Sequence, residues 1–210
     1  SRGYRQIVCP GFSNWNRYYP DFDVALENLR NFLGAARKED VLGFMVTAWG
    51  DDGEECRFSF LDPLLLAAME YAEVVGSWED KWLALTGEHS EVLKARLLFG
   101  KREVSENIKK ALFSPGKWLT SEEVLGVWRS VLREIEGVNL PEDLEFIRRC
   151  LITGLRKAEG KASVSEMLGL SAAYSRLWLG ERKREGLERI VGRFWAAGGV
   201  IDLFTFWVKQ

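Results

Sequence analysis

Histidine, cysteine and one-sided charge are all scarce in this chain, and each scarcity removes a class of chemistry. One histidine, His89, is present, so a Ser-His-Asp triad would have to use it, and it stands in a polar turn (TGEHSE) with no nucleophile motif beside it. It reads as a surface histidine. The three cysteines, Cys9, Cys56 and Cys150, lie far apart without CxxC spacing. Neither a disulfide framework nor a zinc site is expected, no metal is called for, and a reducing, cytoplasmic compartment fits. With 29 basic and 31 acidic side chains, the near-neutral balance argues against a protein built to coat nucleic acid. No apolar run approaches the roughly 18 to 20 residues that a membrane span needs, so the chain reads as soluble, with no membrane partner. The start, SRGYRQIVCPGF, has no long apolar core before Pro10 and Gly11 and is not a signal peptide. It also lacks an initiator Met, which points to a fragment or a processed chain. Gly192 and Gly198-Gly199 lack the preceding strand of a dinucleotide fingerprint, and no cofactor is expected.

What is present is a core-forming composition, 47% hydrophobic over 210 residues, enough for one sizeable core or two small ones. The stretch Val41 to Glu55, VLGFMVTAWGDDGEE, changes within a few residues from an apolar run to a carboxylate-dense turn. From Val41 to Trp49 only Gly43 and Thr47 are neither apolar nor aromatic, the pattern of a strand covered on both faces of a parallel sheet. Ligands of α/β folds gather at the carboxyl ends of strands, so Trp49 followed by Asp51, Asp52, Glu54 and Glu55 reads as a site for a polar ligand. The bland alternative is a solvated acidic turn beside a core tryptophan.

Gln6 to Phe12 reads as a strand stopped by Pro10-Gly11, and SNWNRYYPD as the loop that leaves it. Phe22, Leu26, Leu29 and Leu33 then recur at spacings of four, three and four, an amphipathic helix over Phe22 to Arg37. Strand, helix and strand make a βαβ unit with both strands parallel and both loops opening on one edge of the sheet. Asp62 is placed to cap, and Pro63 to start, the helix after it. From Ser77 onward the sequence is a run of helices. Thr120 with Glu123, and Ser163 with Glu166, read as capping boxes, and Pro141 starts a helix. Three stripes follow: Val124, Trp128, Val131 and Ile135; Leu144, Ile147, Leu151 and Leu155; Leu170, Tyr174 and Trp178. From residue 61 the chain holds 22 basic and 22 acidic residues, the mixed surface of a folded domain. Trp82, Trp118, Trp128, Trp195 and Trp207 read as core anchors. Glu181 to Glu185, with two acids in its basic run, reads as an exposed helix end.

The loop pair CPGFSNWNRYYPD and VTAWGDDGEE resembles the seventh and eighth strands of the bacterial branch of glycoside hydrolase family 20, the β-N-acetylhexosaminidases. There a proline-glycine-x-x-x-tryptophan loop precedes a tryptophan-glycine-acid loop. The segment YSRLWLGERKREGLERI is similar to the helical C-terminal region of those enzymes. The resemblance implies the end of a (β/α)8 TIM barrel: residues 1–76 as its last two βα units, and residues 77–210 as an α-helical C-terminal domain. The class is then α/β followed by mainly α. It implies removal of terminal β-linked N-acetylglucosamine or N-acetylgalactosamine with the substrate's acetamide oxygen as nucleophile, a departure from the two-carboxylate scheme. The family's adjacent Asp-Glu acid-base pair is not in this sequence, so no catalytic residue is expected in the chain, and the missing N-terminal strands would come from the same or another chain.

Position by position, the resemblance makes Trp49 the wall of the sugar subsite and Asp51 the acceptor from the O4 and O6 hydroxyls, a place Asp52 or Glu54 could hold instead. It makes Trp15 the lining of the acetamide pocket, with Asn14 and Tyr18 as further candidates. Arg17 is expected to pair with Asp21. Two competing readings are a non-catalytic helical interaction module and a glycosidase of other sugar specificity.

Overall fold

Asp21 starts the first helix. Its backbone is extended (φ −79°, ψ 96°) and its Oδ1 accepts the Val24 N–H at 3.0 Å. The carboxylate thereby satisfies one of the donors left unpaired at a helix start. Helix α1 (Phe22–Lys38) buries Phe22, Leu29 and Leu33 of the expected stripe, together with Ala25 and Ala36, while Leu26 is only half-buried. The computed structural model describes residues 5–50, 55–114 and 121–199. The chain divides into two units, Ser1–Arg102 and Glu103–Gln210.

In the first unit, β1 (Ile7–Val8) pairs in parallel with β2 (Gly43–Phe44), Ile7 opposite Gly43 and Val8 opposite Phe44. A single parallel bridge, Gly11 to Thr47, follows. A 3-10 turn (Phe58–Leu61) leads into α2 (Asp62–Glu73), then α3 (Trp78–Thr86) and α4 (Ser90–Phe99). The last two helices lie beyond the expected division at residue 76 and fall within this first unit. Tyr19 sits at the centre of an aromatic cluster, its ring 5.6 Å from Phe22, 4.7 Å from Phe60 and 6.2 Å from Phe99. Such rings contribute packing beyond their buried area. The Gly100 carbonyl accepts the Phe22 N–H at 2.8 Å, seating the start of α1 on the end of α4. Between α3 and α4, Glu88 takes three hydrogen bonds from Arg96, two from Nε shared between its oxygens and one from Nη2, and one, at 2.8 Å, from the Trp82 indole. That paired, charge-assisted arrangement holds the two helices at their turn.

The expected fold class is corrected here. Among the described residues the sheet has two strands of two residues each, and helices account for most of the rest, so the chain is not a TIM-barrel portion with two βα units. The run Val41–Trp49, expected as a strand covered on both faces, shrinks to Gly43–Phe44, and Leu42, Met45 and Trp49 are each more than half exposed. The physical reason is twofold. Pro10 has no N–H to give the ladder, so pairing breaks and returns only as a bridge at Gly11. A two-stranded parallel pair also has too few bonds to extend itself, and burial is supplied on one side only. Val8, Phe44 and Val46 are partly covered, whereas Ile7, Cys9 and Met45 on the alternate positions are exposed. Asp62 does not cap α2 either: the 3-10 turn runs directly into the helix, with Leu61 at the cap position and Asp62 in the first turn.

The second unit is helical in its described residues. From a one-turn α5 (Arg102–Ser105) at the boundary, it continues through α6 (Ile108–Phe113), α7 (Glu122–Glu134), α8 (Glu142–Ala158), α9 (Val164–Glu181) and α10 (Leu187–Ala197). The Ser163–Glu166 capping box is present. Thr120, expected to open a capping box with Glu123, lies outside the described residues; Ser121 caps α7, its Oγ accepting the Val124 N–H at 3.3 Å. Trp128, Val131 and Ile135, then Leu144, Ile147 and Leu151, then Leu170, Tyr174 and Trp178 are buried as the stripes predict, while Val124 and Leu155, at the outer ends of the first two stripes, are half-buried. Trp195, expected in the core, is 41% exposed and donates its indole N–H to Ser171 Oγ at 3.2 Å. Trp118 and Trp207 lie outside the described residues. Lys157 Nζ donates to the Leu112 and Ser114 carbonyls at the end of α6, and burial pushes its ammonium pKa down. No helix among the described residues is long and apolar enough to cross a membrane.

Two glycines mark close approaches. A methyl group on Gly100 would lie 2.6 Å from Phe22, and one on Gly154 2.6 Å from Trp128. Gly100→Ala and Gly154→Ala are each expected to destabilise by about 1–3 kcal/mol in urea unfolding, through overpacking. Gly126→Ala, in α7 with open space around the new methyl, is expected to stabilise by about 0.5–1 kcal/mol.

Candidate functional site

Because β1 and β2 run parallel, the segments that leave them open at the same end. The two segments are stitched together by the Thr47 N–H to the Pro10 carbonyl (2.8 Å) and the Phe12 N–H to the Thr47 carbonyl (3.0 Å). Two residues on, the stitch passes to a side chain. Asn14 Nδ2 donates to the Trp49 carbonyl at 2.9 Å, and the Trp49 N–H donates to Asn14 Oδ1 at 3.2 Å. A carboxamide has the same donor and acceptor set as a peptide unit, and only one orientation of the amide satisfies both bonds. Asn14 is 3% exposed, so both of its polar ends need these partners.

The first loop is held tightly. Ser13 (φ 53°) and Asn16 (φ 57°) are in the left-handed region, a conformation that costs roughly 1–2 kcal/mol for a side-chain-bearing residue. The Ser13 carbonyl accepts the Asp21 N–H at 3.2 Å, and the Gly11 N–H is taken by Asn28 Oδ1 at 3.1 Å. Asp21 Oδ2 lies 3.7 Å from both Arg17 Nη2 and Arg102 Nε, which bears out the expected Arg17–Asp21 pair and adds a second cation. Burial raises the Asp21 pKa above the usual carboxylate value, against the pull of the Val24 N–H and the two guanidinium groups.

The outcome for each expected residue differs. Trp49 is 57% and Trp15 37% exposed at the same end of the strand pair, and Trp15 is set beside Gly11. Asn14 is next to them but engaged with the Trp49 main chain, so it positions the loop. Tyr18 is buried and turned into the core with Tyr19. Asp51, Asp52 and Glu54 lie outside the described residues, while Glu55 and Cys56, where the description resumes, are buried. His89 is exposed before α4. Among the described residues no group of three His, Cys, Asp or Glu side chains could hold a metal ion. What the arrangement offers chemically is two half-exposed indole faces on a fixed loop pair. The Asp21 cap is missed by the sequence reading, although an Asp directly before the apolar stripe that starts at Phe22 is its signal, and the burial of Glu55 has no local signal in its acidic surroundings.

Two measurements follow. Asn14→Ala leaves the Trp49 main chain unpaired and is expected to cost about 1–3 kcal/mol in unfolding free energy, with a shift in tryptophan emission. For Asp21 the folded pKa lies above the unfolded value of 3.8, so its stabilising contribution is complete below that pH and is lost as pH rises through the folded pKa. Asp21→Asn keeps a capping side chain without titrating. Its stability relative to the parent is expected to improve in urea midpoints as pH rises above about 4, and to level off once the folded pKa is passed. No protein-family model, curated protein or solved structure matches the chain.

Proposed function

We propose that this chain supplies the sugar-holding face of a glycosidase acting on terminal β-linked N-acetylhexosamine. Trp49 stacks on the pyranose, and Trp15 lines the acetamide side. An acid among Asp51, Asp52 and Glu54 accepts from the ring hydroxyls. The observation that carries this reading is the Asn14 clamp, which fixes two half-exposed tryptophans at one end of the strand pair. Fixed aromatic faces and a carboxylate are complementary to the C–H face and hydroxyl rim of a sugar. Substrate-assisted hydrolysis also needs a general acid beside the glycosidic oxygen. The Asp-Glu pair of the resemblance is absent from this sequence, so the proton transfer belongs to residues outside it.

A second reading, a non-catalytic interaction module, is favoured by the exposed Ile7 and Met45 on the open side of the sheet. The two separate on substitution. Titration with N-acetylglucosamine followed by tryptophan fluorescence is expected to saturate, and Trp49→Ala and Asp51→Ala to weaken it about tenfold or more, the loss of roughly 1.4 kcal/mol or more. An interaction module predicts a change in stability alone. On a chromogenic N-acetyl-β-glucosaminide the chain by itself is expected to show no turnover; turnover abolished by replacing an acid of this chain would overturn the assignment.

A further inference from the structure

A second site lies away from the tryptophans, between α1 and the end of α2. The cavity there, about 500 Å³, is lined by Arg30, Arg37, Glu70, Tyr71 and the turn Val74–Gly76. Tyr71 fixes both arginines. Arg30 Nη2 donates to its hydroxyl at 3.1 Å with the guanidinium 5.3 Å from the ring centre, and Arg37 Nη1 donates to its carbonyl at 3.1 Å. Neither guanidinium has a carboxylate partner among the described residues. Glu70 is 6% exposed. Its Oε1 is paired with Lys81 Nζ at 2.5 Å, while its Oε2 is buried without a hydrogen bond among the described residues. Val74 closes the cavity in the left-handed region (φ 56°, ψ 43°), a strained conformation for a β-branched residue.

We propose that this cavity binds a small phosphate monoester that carries hydroxyl groups, such as a sugar phosphate. Two pinned guanidiniums without counter-charge match a dianionic phosphate, which each fork can meet with paired N–H groups. Seven residues apart on α1, the two arginines are two turns distant on one face, about 10 Å along the axis, within reach of each other's side chains. The charge of Glu70 is already balanced by Lys81, so Oε2 requires a neutral donor, and a hydroxyl supplies it without adding a second cation. The volume falls within the range of about 300–1,000 Å³ typical of small-molecule sites and exceeds what a bare phosphate fills.

The test is calorimetric titration of the full chain at low salt with glucose 6-phosphate, glycerol 3-phosphate, inorganic phosphate and glucose. Saturable one-to-one binding of the two esters is expected, about tenfold or more tighter than inorganic phosphate, with none measurable for glucose. Arg30→Gln and Arg37→Gln, at exposed positions, should each weaken ester binding about tenfold or more. Glu70→Gln should reduce the preference for esters over inorganic phosphate. Trp49→Ala should leave the titration unchanged, which separates this site from the sugar-holding face. Failure of both esters to saturate, equal affinity for inorganic phosphate, or indifference to both arginine substitutions would overturn the proposal.

Discussion

The carboxamide of Asn14 takes over where the strand ladder ends, and the placement of both exposed tryptophans depends on it. Pairing between the two strands is short, interrupted at Pro10, and confined beyond that to a bridge at Gly11 and Thr47. Left there, the two loops would diverge. Asn14 instead presents a peptide-like donor and acceptor to the main chain of Trp49, thirty-five residues later, in a site almost closed to water. A buried amide satisfied on both ends is costly to break, since each lost partner leaves a desolvated group.

So small a sheet stands only because helices shelter one side of it. Helix α1 is capped by Asp21, seated on the Gly100 carbonyl and packed through Phe22, Leu29 and Leu33. The cluster of Tyr19, Phe22, Phe60 and Phe99 joins the first loop, α1, the turn before α2 and the end of α4 in one contact set. The rigidity of the loop therefore comes from aromatic packing beneath it, and its strained Ser13 and Asn16 are tolerated because their surroundings over-determine them. Core and surface aromatics share this segment: Tyr18 and Tyr19 face inward while Trp15 is partly exposed within five residues.

What was legible in the sequence is what local periodicity encodes. The α1 stripe, the Ser163–Glu166 box and the faces of α7, α8 and α9 all follow from spacing of three and four and from cap chemistry. The strands were not legible at their true length. An apolar run reports a capacity for burial and carries no information on whether a covering surface exists, so Val41–Trp49 read as fully enclosed and is half open. The same gap explains Trp195, whose helical position fits a core but whose indole lies at the surface. Trp49 is indicated by its place after an apolar run and Trp15 by the resemblance alone, whereas the bonds of Asn14 are hidden, because an amide bonded to main chain far along the sequence leaves no local signature. Nor do Arg30, Arg37 and Glu70 form a motif; Tyr71 and the packing of α1 on α2 bring them together.

The central claim is that Trp15 and Trp49 form one sugar-binding face held by Asn14. The most direct test follows the indole N–H resonances by NMR while N-acetylglucosamine is titrated into the chain. Trp15 and Trp49 are predicted to shift together along a single binding curve, with the buried Trp78 and Trp128 unmoved. Stationary Trp15 and Trp49 signals at saturating sugar, or separate curves for the two, would contradict it.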